Sequence, residues 1–366
     1  MKVAKLYSFN DIRIEDIPVP EIGSGDALIK TKASGICSGD VMPWYIEKKA
    51  PLVLGHEPAG DIVQVGDNVT SFNPGDRIFT HHHAPCLLCR YCKRGDYVQC
   101  ETWKNTKIIP GGISEYILIP EINLKNDTLK LPDNVTFEDG TLVEPTACVL
   151  KGLKRITPPF LSMSRWLRAI DPLSKGRSKE GLLSHRTVLV IGLGVMGQLN
   201  ILIARRFGAG RIIGADKVPY RLMKAKEFGA NDVIDVSKES LVDSLRSLTD
   251  GDMADLVVVG PNSVEAMREG ISAAGAGGTV LFFTPAKPGE KLTIDPNHLY
   301  FNDINIVTSY SCGPSDTAEA LKLIEEGVVR AEMLVTHKFP IEKTPEAFRL
   351  VAETKDSLKV VIMFER

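Results

Sequence analysis

The chain carries little net charge, few cysteines and no long apolar run. A formal charge of −2 over 366 residues gives no electrostatic basis for nucleic acid as the main partner. No stretch approaches the roughly 18 consecutive apolar residues that a membrane span needs. The opening segment, Met1-Lys-Val-Ala-Lys-Leu-Tyr-Ser-Phe-Asn10, lacks the apolar run of a signal peptide. Seven cysteines in so long a chain do not suggest the disulfide framework of a small secreted domain. These absences together predict a cytoplasmic protein with free or metal-bound thiols. Nor is there an internal repeat. What remains is an ordinary globular composition, 43% hydrophobic and 25% charged, at a length that predicts two domains.

Four of the cysteines, Cys86, Cys89, Cys92 and Cys100, stand in the pattern C-x2-C-x2-C-x7-C. Four thiolates so closely spaced can surround one tetrahedral Zn2+ with sulfur at about 2.3 Å, leaving no open position for chemistry. This predicts a structural zinc lobe over about residues 86–100.

Two periodicities divide the chain. Up to about residue 150, short strands such as Leu28–Ala33, Asp61–Val65 and Glu115–Ile119 are broken by Gly, Pro, Asn and Asp, which suggests a small β-rich unit. From Thr187 the pattern becomes β-α-β: strand Thr187–Ile191, helix Val195–Phe207, strand Arg211–Ala215. Later runs, Leu256–Val259 and Thr279–Phe283, lie between helical stretches, as a parallel sheet requires. The tail reads as helix 316–326, strand 334–339, helix 344–353 and strand 358–364.

Gly192-Leu-Gly-Val-Met-Gly197 follows a predicted strand and opens a predicted helix. Gly192 permits the tight turn, Gly194 lets a pyrophosphate approach the backbone, and Gly197 lets helix pack on strand. Asp216 ends the next strand, where a carboxylate can bind the ribose hydroxyls and would repel a 2′-phosphate. NAD(H) is therefore favoured over NADP(H), a preference that nearby Lys217 and Arg221 soften. Arg221 is also a candidate contact for the adenosine ribose.

A second metal-ligating set joins Cys37, Gly55-His56-Glu57 and Glu144-Pro145. A soft thiolate, an imidazole and a carboxylate form a mixed donor set suited to zinc with an open position. At these residues the chain resembles the zinc-dependent medium-chain alcohol and polyol dehydrogenases over nearly its whole length. Gly55-His56-Glu57-Pro-Ala-Gly60, followed by Gly66 and Val69, fits that family's G-H-E-x2-G-x5-G-x2-V signature. The four-cysteine lobe, Gly111-Gly112-Ile-Ser-Glu-Tyr116 and the glycine loop follow in the family's order.

The resemblance implies an α/β protein: a GroES-like, β-rich catalytic domain over 1–152, a Rossmann NAD-binding domain with a doubly wound parallel sheet over 153–308, and a return to the catalytic domain over 309–366. It implies two zinc ions per chain, one structural and one catalytic in the cleft between domains. Cys37 and His56 become ligands of the catalytic ion. The third is either Glu57, as in the sorbitol dehydrogenase branch, or a water held by Glu144. Asp40 matches the aspartate that orients the ligand histidine and raises its basicity. Glu144-Pro-Thr-Ala-Cys148 places the chain nearer the polyol and threonine dehydrogenase branches than the alcohol dehydrogenases with a second cysteine ligand.

There are two departures. The family usually reads Cys-x-Ser/Thr-Asp, with the hydroxyl relaying the substrate proton; here Cys37-Ser38-Gly39-Asp40 puts glycine at the relay position. Proton transfer then falls to Glu57, a zinc-bound water or a substrate hydroxyl. Near Thr308-Ser309-Tyr310 the arginine that sorbitol dehydrogenases carry beside a tyrosine is missing, which argues against sorbitol itself.

Between Glu144 and Gly192 the chain is longer than the family pattern, with the excess near 158–179. Phe160, Met163, Leu167 and Ile170 recur at helical spacing beside Trp166, and Arg165, Arg168, Lys175, Arg177 and Lys179 make the segment basic. An added amphipathic helix covered by this protein or by another copy is expected; a lid, or docking to a membrane surface or acidic partner, are the alternatives. His81-His82-His83 reads as polar loop residues beside the lobe, with metal binding as the alternative, and Cys148 and Cys312 as small buried hydrophobes. Trp44 and Tyr45 are candidates for the substrate pocket or the core.

The expected activity is interconversion of a secondary alcohol or polyol with its carbonyl compound, by hydride transfer to or from NAD(H) with zinc as Lewis acid. The partners expected are a small alcohol or carbonyl substrate and further copies of the chain, as a homodimer or homotetramer. A zinc-free reductase of the same superfamily and a non-enzymatic nucleotide-binding protein are the rivals. The intact set Cys37, His56, Glu57 and Glu144 argues against both.

Overall fold

The computed structural model describes residues 1–156 and 181–365. The amphipathic segment expected near 158–179 lies outside the described residues. The chain forms two compact units, one of Met1–Ala147 with Ser311–Arg366 and one of Cys148–Tyr310.

The first unit is β-rich. Strands β1 (Lys2–Ser8), β2 (Asp11–Asp16) and β4 (Leu52–Val53) form a three-stranded sheet in the order β2-β1-β4. A seven-stranded sheet joins β3 (Ala27–Gly35), β5 (Glu57–Val65), β6 (Arg77–Thr80), β7 (Tyr116–Ile119), β8 (Thr128–Lys130), β15 (Val335–Pro340) and β16 (Lys359–Met363). Its order is β15-β16-β3-β5-β6-β8, with β7 also paired to β3. The returning tail thus extends the first half's sheet at its β3 end: β16 lies antiparallel to β3 with Val361 opposite Gly35, and Gly35 in turn faces Glu57 on β5. Ala27, Ile29, Ile62, Ile78, Ile117 and Ile119 close one core of this unit; Leu6, Ile36, Phe348 and Ile362 belong to another.

The second unit is a six-stranded parallel sheet of β9 (Thr187–Ile191), β10 (Arg211–Asp216), β11 (Asp232–Asp235), β12 (Ala254–Val259), β13 (Ala274–Phe282) and β14 (Asn305–Thr308), in the order β11-β10-β9-β12-β13-β14. Val188–Ile191 and Leu256–Val259 are buried throughout, the continuous apolar runs expected of strands covered on both faces. The strand order reverses between β9 and β12, and ligands of open α/β sheets bind at the carboxyl ends of strands at such a switch point. Among the described residues, no helix is long and apolar enough to cross a membrane.

Candidate active site and metal centres

The four-cysteine lobe folds as a cage. Cys89 and Cys92 Sγ lie 3.6 Å apart, Cys86 and Cys100 3.6 Å, and Cys86 and Cys92 4.0 Å. A tetrahedron with Zn–S near 2.3 Å has S···S edges of about 3.8 Å, whereas a disulfide requires about 2.05 Å. Backbone N–H groups of Leu88 and Cys89 donate to Cys86 Sγ, and that of Cys86 donates to Cys100 Sγ, each at 3.4 Å. Donors to Cys86 lower its pKa; burial raises that of Cys100, but the backbone N–H groups of Cys86 and Trp103 outweigh it and take it down to about 6, whereas burial takes Cys92 up to about 12. The donor set fits one zinc ion. Trp103 and Val98 close the lobe behind the sulfurs.

The second set forms where two segments of the first unit meet. Cys37 precedes a short 3-10 turn, Ser38–Val41, and its Sγ accepts the Gly39 N–H at 3.3 Å. Glu57 begins β5, and His56 stands immediately before it. One ligand atom from each of Cys37, His56 and Glu57 lies within 4.8 Å of the others. Asp40 Oδ2 is 3.3 Å from His56 Nδ1, which leaves Nε2 as the ring's outward donor. Burial opposes a charge on His56, but Asp40 and Cys37 outweigh it and raise its pKa well above the usual value. Burial pushes the Cys37 thiol up against the pull of His56. These directions belong to the metal-free protein, and a cation at the site would reverse the logic for the thiol.

Glu57 is fully buried. Its Oε2 pairs with Lys359 Nζ, which also donates to the Ile36 carbonyl at 3.2 Å, while Oε1 has no hydrogen-bond partner. An orphaned carboxylate oxygen beside a thiol and an imidazole fits a zinc site with Glu57 as a ligand. Gly35 is required beside it: a methyl group there would overlap Glu57 Oε2 and meet Lys359 Cε at 2.7 Å.

Glu144 does not join this trio. It lies in the first turn of helix Val143–Ile156, buried, with its ligand atom grouped with those of His81 and Cys312. Its charge still reaches Glu57, whose pKa is raised first by burial, opposed by Lys359 and supported by Glu144. The polar-loop reading of the three histidines is corrected. His81 is wholly buried, continuing the buried run Ile78–Thr80 of β6, and is bonded through Nδ1 to Asp127 Oδ2 at 2.8 Å. Cys312 is buried as expected, yet its Sγ contacts His81 Nε2 at 3.8 Å. The His82 ring stacks obliquely on His56 at 4.9 Å, and its buried Nδ1 has no partner. Trp44 and Tyr45 meet edge to face, with Lys49 Nζ 3.8 Å from the Tyr45 centroid.

In the second unit Gly192 has φ +83 and turns the chain from β9 into helix Val195–Arg206. A methyl group at Gly197 would overlap the Gly192 carbonyl oxygen, while one at Gly194 would find only Arg221 Nη1, at 3.9 Å. The first glycine pair is thus fixed by packing and Gly194 faces open space. The helix begins at Gly194 with no side-chain cap, so its first amides are available to an anion. Asp216 Oδ2 accepts the Leu193 N–H at 2.6 Å, tying the carboxylate to the glycine loop. Its Oδ1 accepts from Lys217 and Val218 N–H at 2.7 and 2.9 Å. Oδ2, with one donor, keeps a second lone pair for a ribose hydroxyl. Arg221 Nε is buried without a hydrogen-bond partner, and the guanidinium reaches toward the loop. These groups fit a dinucleotide.

Residues 23–133 match the family described as Alcohol dehydrogenase GroES-like domain, and residues 195–326 match Zinc-binding dehydrogenase. A sorbitol dehydrogenase of Bombyx mori is 31% identical over 98% of this chain and 97% of its own length. An L-threonine 3-dehydrogenase of Rhizobium etli is 28% identical over 95% and 94%. The crystal structure of 2R,3R-butanediol dehydrogenase from Bacillus subtilis superposes with a TM-score of 0.81 at 25% identity, covering 99% of each chain. The chain belongs to the zinc-dependent medium-chain alcohol and polyol dehydrogenase family.

Proposed function

We propose that the protein oxidises a secondary alcohol or polyol to its carbonyl compound, or catalyses the reverse reduction, with NAD(H) as the hydride carrier. The observation that carries this reading is the convergence of Cys37, His56 and Glu57 within 4.8 Å, with Asp40 behind the imidazole, in a chain of this family. Zinc held by these three residues would supply Lewis-acid polarisation of the substrate oxygen, and the dinucleotide would supply or take the hydride.

The chain's own residues have separate tasks. Asp40 holds the His56 ring so that one nitrogen faces the metal position. Lys359 favours the ionised form of Glu57 in a buried setting that otherwise opposes it. Gly39 supplies no hydroxyl and Ser38 is exposed, so proton release falls to Glu57, to water or to a neighbouring substrate hydroxyl. The last route favours a polyhydroxylated substrate. Gly192, Gly194 and Gly197 hold the pyrophosphate against the helix amides. Asp216 binds the adenosine ribose and disfavours a 2′-phosphate, with Arg221 alongside. Assembly as a homodimer or homotetramer in the cytoplasm completes the proposal.

The deciding experiment is a spectrophotometric screen of alcohols, polyols and hydroxy amino acids with NAD+ and NADP+, using zinc-loaded protein and its His56→Ala variant. Turnover by wild type and none by the variant supports the reading. Undiminished turnover by His56→Ala removes the metal-site assignment, and a larger kcat/KM with NADP+ removes the cofactor assignment.

A further inference from the structure

The tip of the four-cysteine lobe is apolar and faces solvent. Leu87 and Leu88 fill the gap between Cys86 and Cys89 and are 43% and 78% exposed. Among the described residues, no large apolar side chain is more exposed than Leu88. The turn itself does not call for leucine. Leu87 has φ +59, in the left-handed region where glycine rests without strain and a bulky residue does not. In that turn the Leu88 and Cys89 N–H groups both reach Cys86 Sγ. The sulfur cage thus sets the backbone, and leucine is carried there against the local preference. Neither leucine belongs to the cluster of Cys92, Val98, Cys100 and Trp103 behind the sulfurs.

Cations accompany this tip. From Cys86 to Gly95 the sequence has no acidic residue, while Arg90, Lys93 and Arg94 are all exposed. Arg90 and Arg94 both lie over the Tyr91 ring, 4.7 and 5.5 Å from its centroid, and Arg90 Nη2 donates to the Tyr91 hydroxyl at 2.8 Å. Lys104, on the short helix Glu101–Asn105, adds its charge: Arg90 foremost, then Lys104 and Arg94, lower the Tyr91 pKa. Asp96 offsets part of this excess, pairing with Arg94 at 2.8 Å. Four thiolates around Zn2+ leave a negative centre, but its sulfurs accept backbone N–H groups, whereas the cations stand in water.

We infer that the Leu87–Leu88 tip and the cations beside it dock this protein on an anionic lipid surface. Apolar side chains enter the boundary between headgroups and acyl chains, and arginine and lysine hold the anionic headgroups. Charge complementarity selects this occupant: an uncharged apolar surface would leave Arg90, Lys93 and Lys104 without counter-charges. Nucleic acid would satisfy the cations and leave both leucines in water. The ligands Cys86 and Cys89 bracket the leucine pair, so the tip is fixed by the metal and docking requires zinc. The attachment is peripheral and reversible, since so few apolar groups fall far short of a spanning helix.

The test is co-sedimentation of zinc-loaded, full-length protein with phosphatidylserine–phosphatidylcholine vesicles, beside vesicles of phosphatidylcholine alone. Wild type should sediment with the mixed vesicles, less with phosphatidylcholine, and less as salt is raised. Leu87→Gly combined with Leu88→Ser should weaken the partition by about 10-fold or more, through loss of apolar insertion. Arg90→Gln with Lys93→Gln should weaken it by about 5-fold for each charge removed. Chelator-treated wild type should stay in the supernatant. Glycine suits the positive φ at position 87, so the apolar variant should melt close to wild type; a packing role for the leucines predicts a clear drop. If the pair does not fold, Leu88→Ser alone, at a side chain 78% exposed, decides. Absence of wild-type sedimentation with the mixed vesicles overturns the inference, as does equal sedimentation of the apolar variant. Loss of an oligomer in that variant, with vesicle binding unchanged, also overturns it and assigns the tip to a second copy of the chain.

Discussion

Glu57 and Lys359 form a buried ion pair between β5 and β16, with each side chain 1% exposed. Breaking such a pair from one side leaves a charge without a partner, at a cost of about 3–5 kcal/mol. Lys359→Met should therefore destabilise the metal-free protein by about that amount in urea titrations. The pH dependence has a definite sign. Burial raises the Glu57 pKa above 4.5, so ionisation at higher pH weakens the native state, and removing the opposing lysine extends that range upward. The variant's deficit should shrink in acid and also on zinc loading, because a cation replaces the lost charge. A deficit that is the same at all pH values, with and without zinc, would reject this account.

Two loop glycines should fail differently. Gly197→Ala drives a methyl group into the Gly192 carbonyl oxygen, whereas Gly194→Ala meets nothing closer than Arg221 Nη1 at 3.9 Å. The first should lower the melting temperature of the apo protein. The second should leave it nearly unchanged, within about 0.5 kcal/mol, while weakening NADH binding measured by fluorescence. Equal loss of stability in both would mean that Gly194 is fixed by packing rather than by the ligand.

Local patterns were the most legible. The cysteine lobe and the glycine loop are contiguous in sequence, and Val188–Ile191 of β9 and Leu256–Val259 of β12 are unbroken apolar runs because both faces of their sheet are covered. The beginning of β13 was hidden by Ala274-Gly-Ala-Gly-Gly278, residues of low strand propensity held there by neighbouring strands. Long-range partners were hidden for another reason. Lys359 is 302 positions from Glu57, and Cys312 is 231 from His81, so no spacing rule joins them. One signal was available: a lysine inside the apolar run Leu358–Phe364 must find a buried counter-charge. Glu144 was assigned by family pattern to the neighbourhood of Cys37; its ligand atom is grouped with those of His81 and Cys312, and its charge acts on Glu57.

Asp216 performs two tasks that substitution can separate. Its oxygens accept three backbone N–H groups at 2.6, 2.7 and 2.9 Å, so Asp216→Ala should loosen the glycine loop as well as remove the ribose contact. Asp216→Asn keeps much of the shape and removes the charge. A hydrogen bond to a charged group contributes about 1.5–3 kcal/mol, so kcat/KM for NAD+ should fall by about 10- to 100-fold in either variant. The asparagine variant, whose one oxygen still accepts the Lys217 and Val218 N–H groups, should lose less melting temperature than the alanine variant. Activity with NADP+ should rise relative to NAD+ in both, since the repulsive charge is gone. Unaltered discrimination would transfer the choice of cofactor to Lys217 or Arg221.

The cysteine lobe makes a chemical prediction that does not depend on turnover. Thiolate, not thiol, reacts with iodoacetamide, so reactivity follows pKa and access together. In the metal-free lobe Cys86 is partly exposed and its pKa is lowered by two backbone N–H donors, while Cys92 is buried and pushed up to about 12. Cys100 falls to about 6 but is only 1% exposed. Brief alkylation of chelator-treated protein near neutral pH, read by peptide mass spectrometry, should therefore label Cys86 first and Cys92 last. Zinc should protect all four at once, because a single ion binds every sulfur. Protection of only two, or equal labelling of Cys86 and Cys92 without metal, would contradict a single closed tetrahedral site.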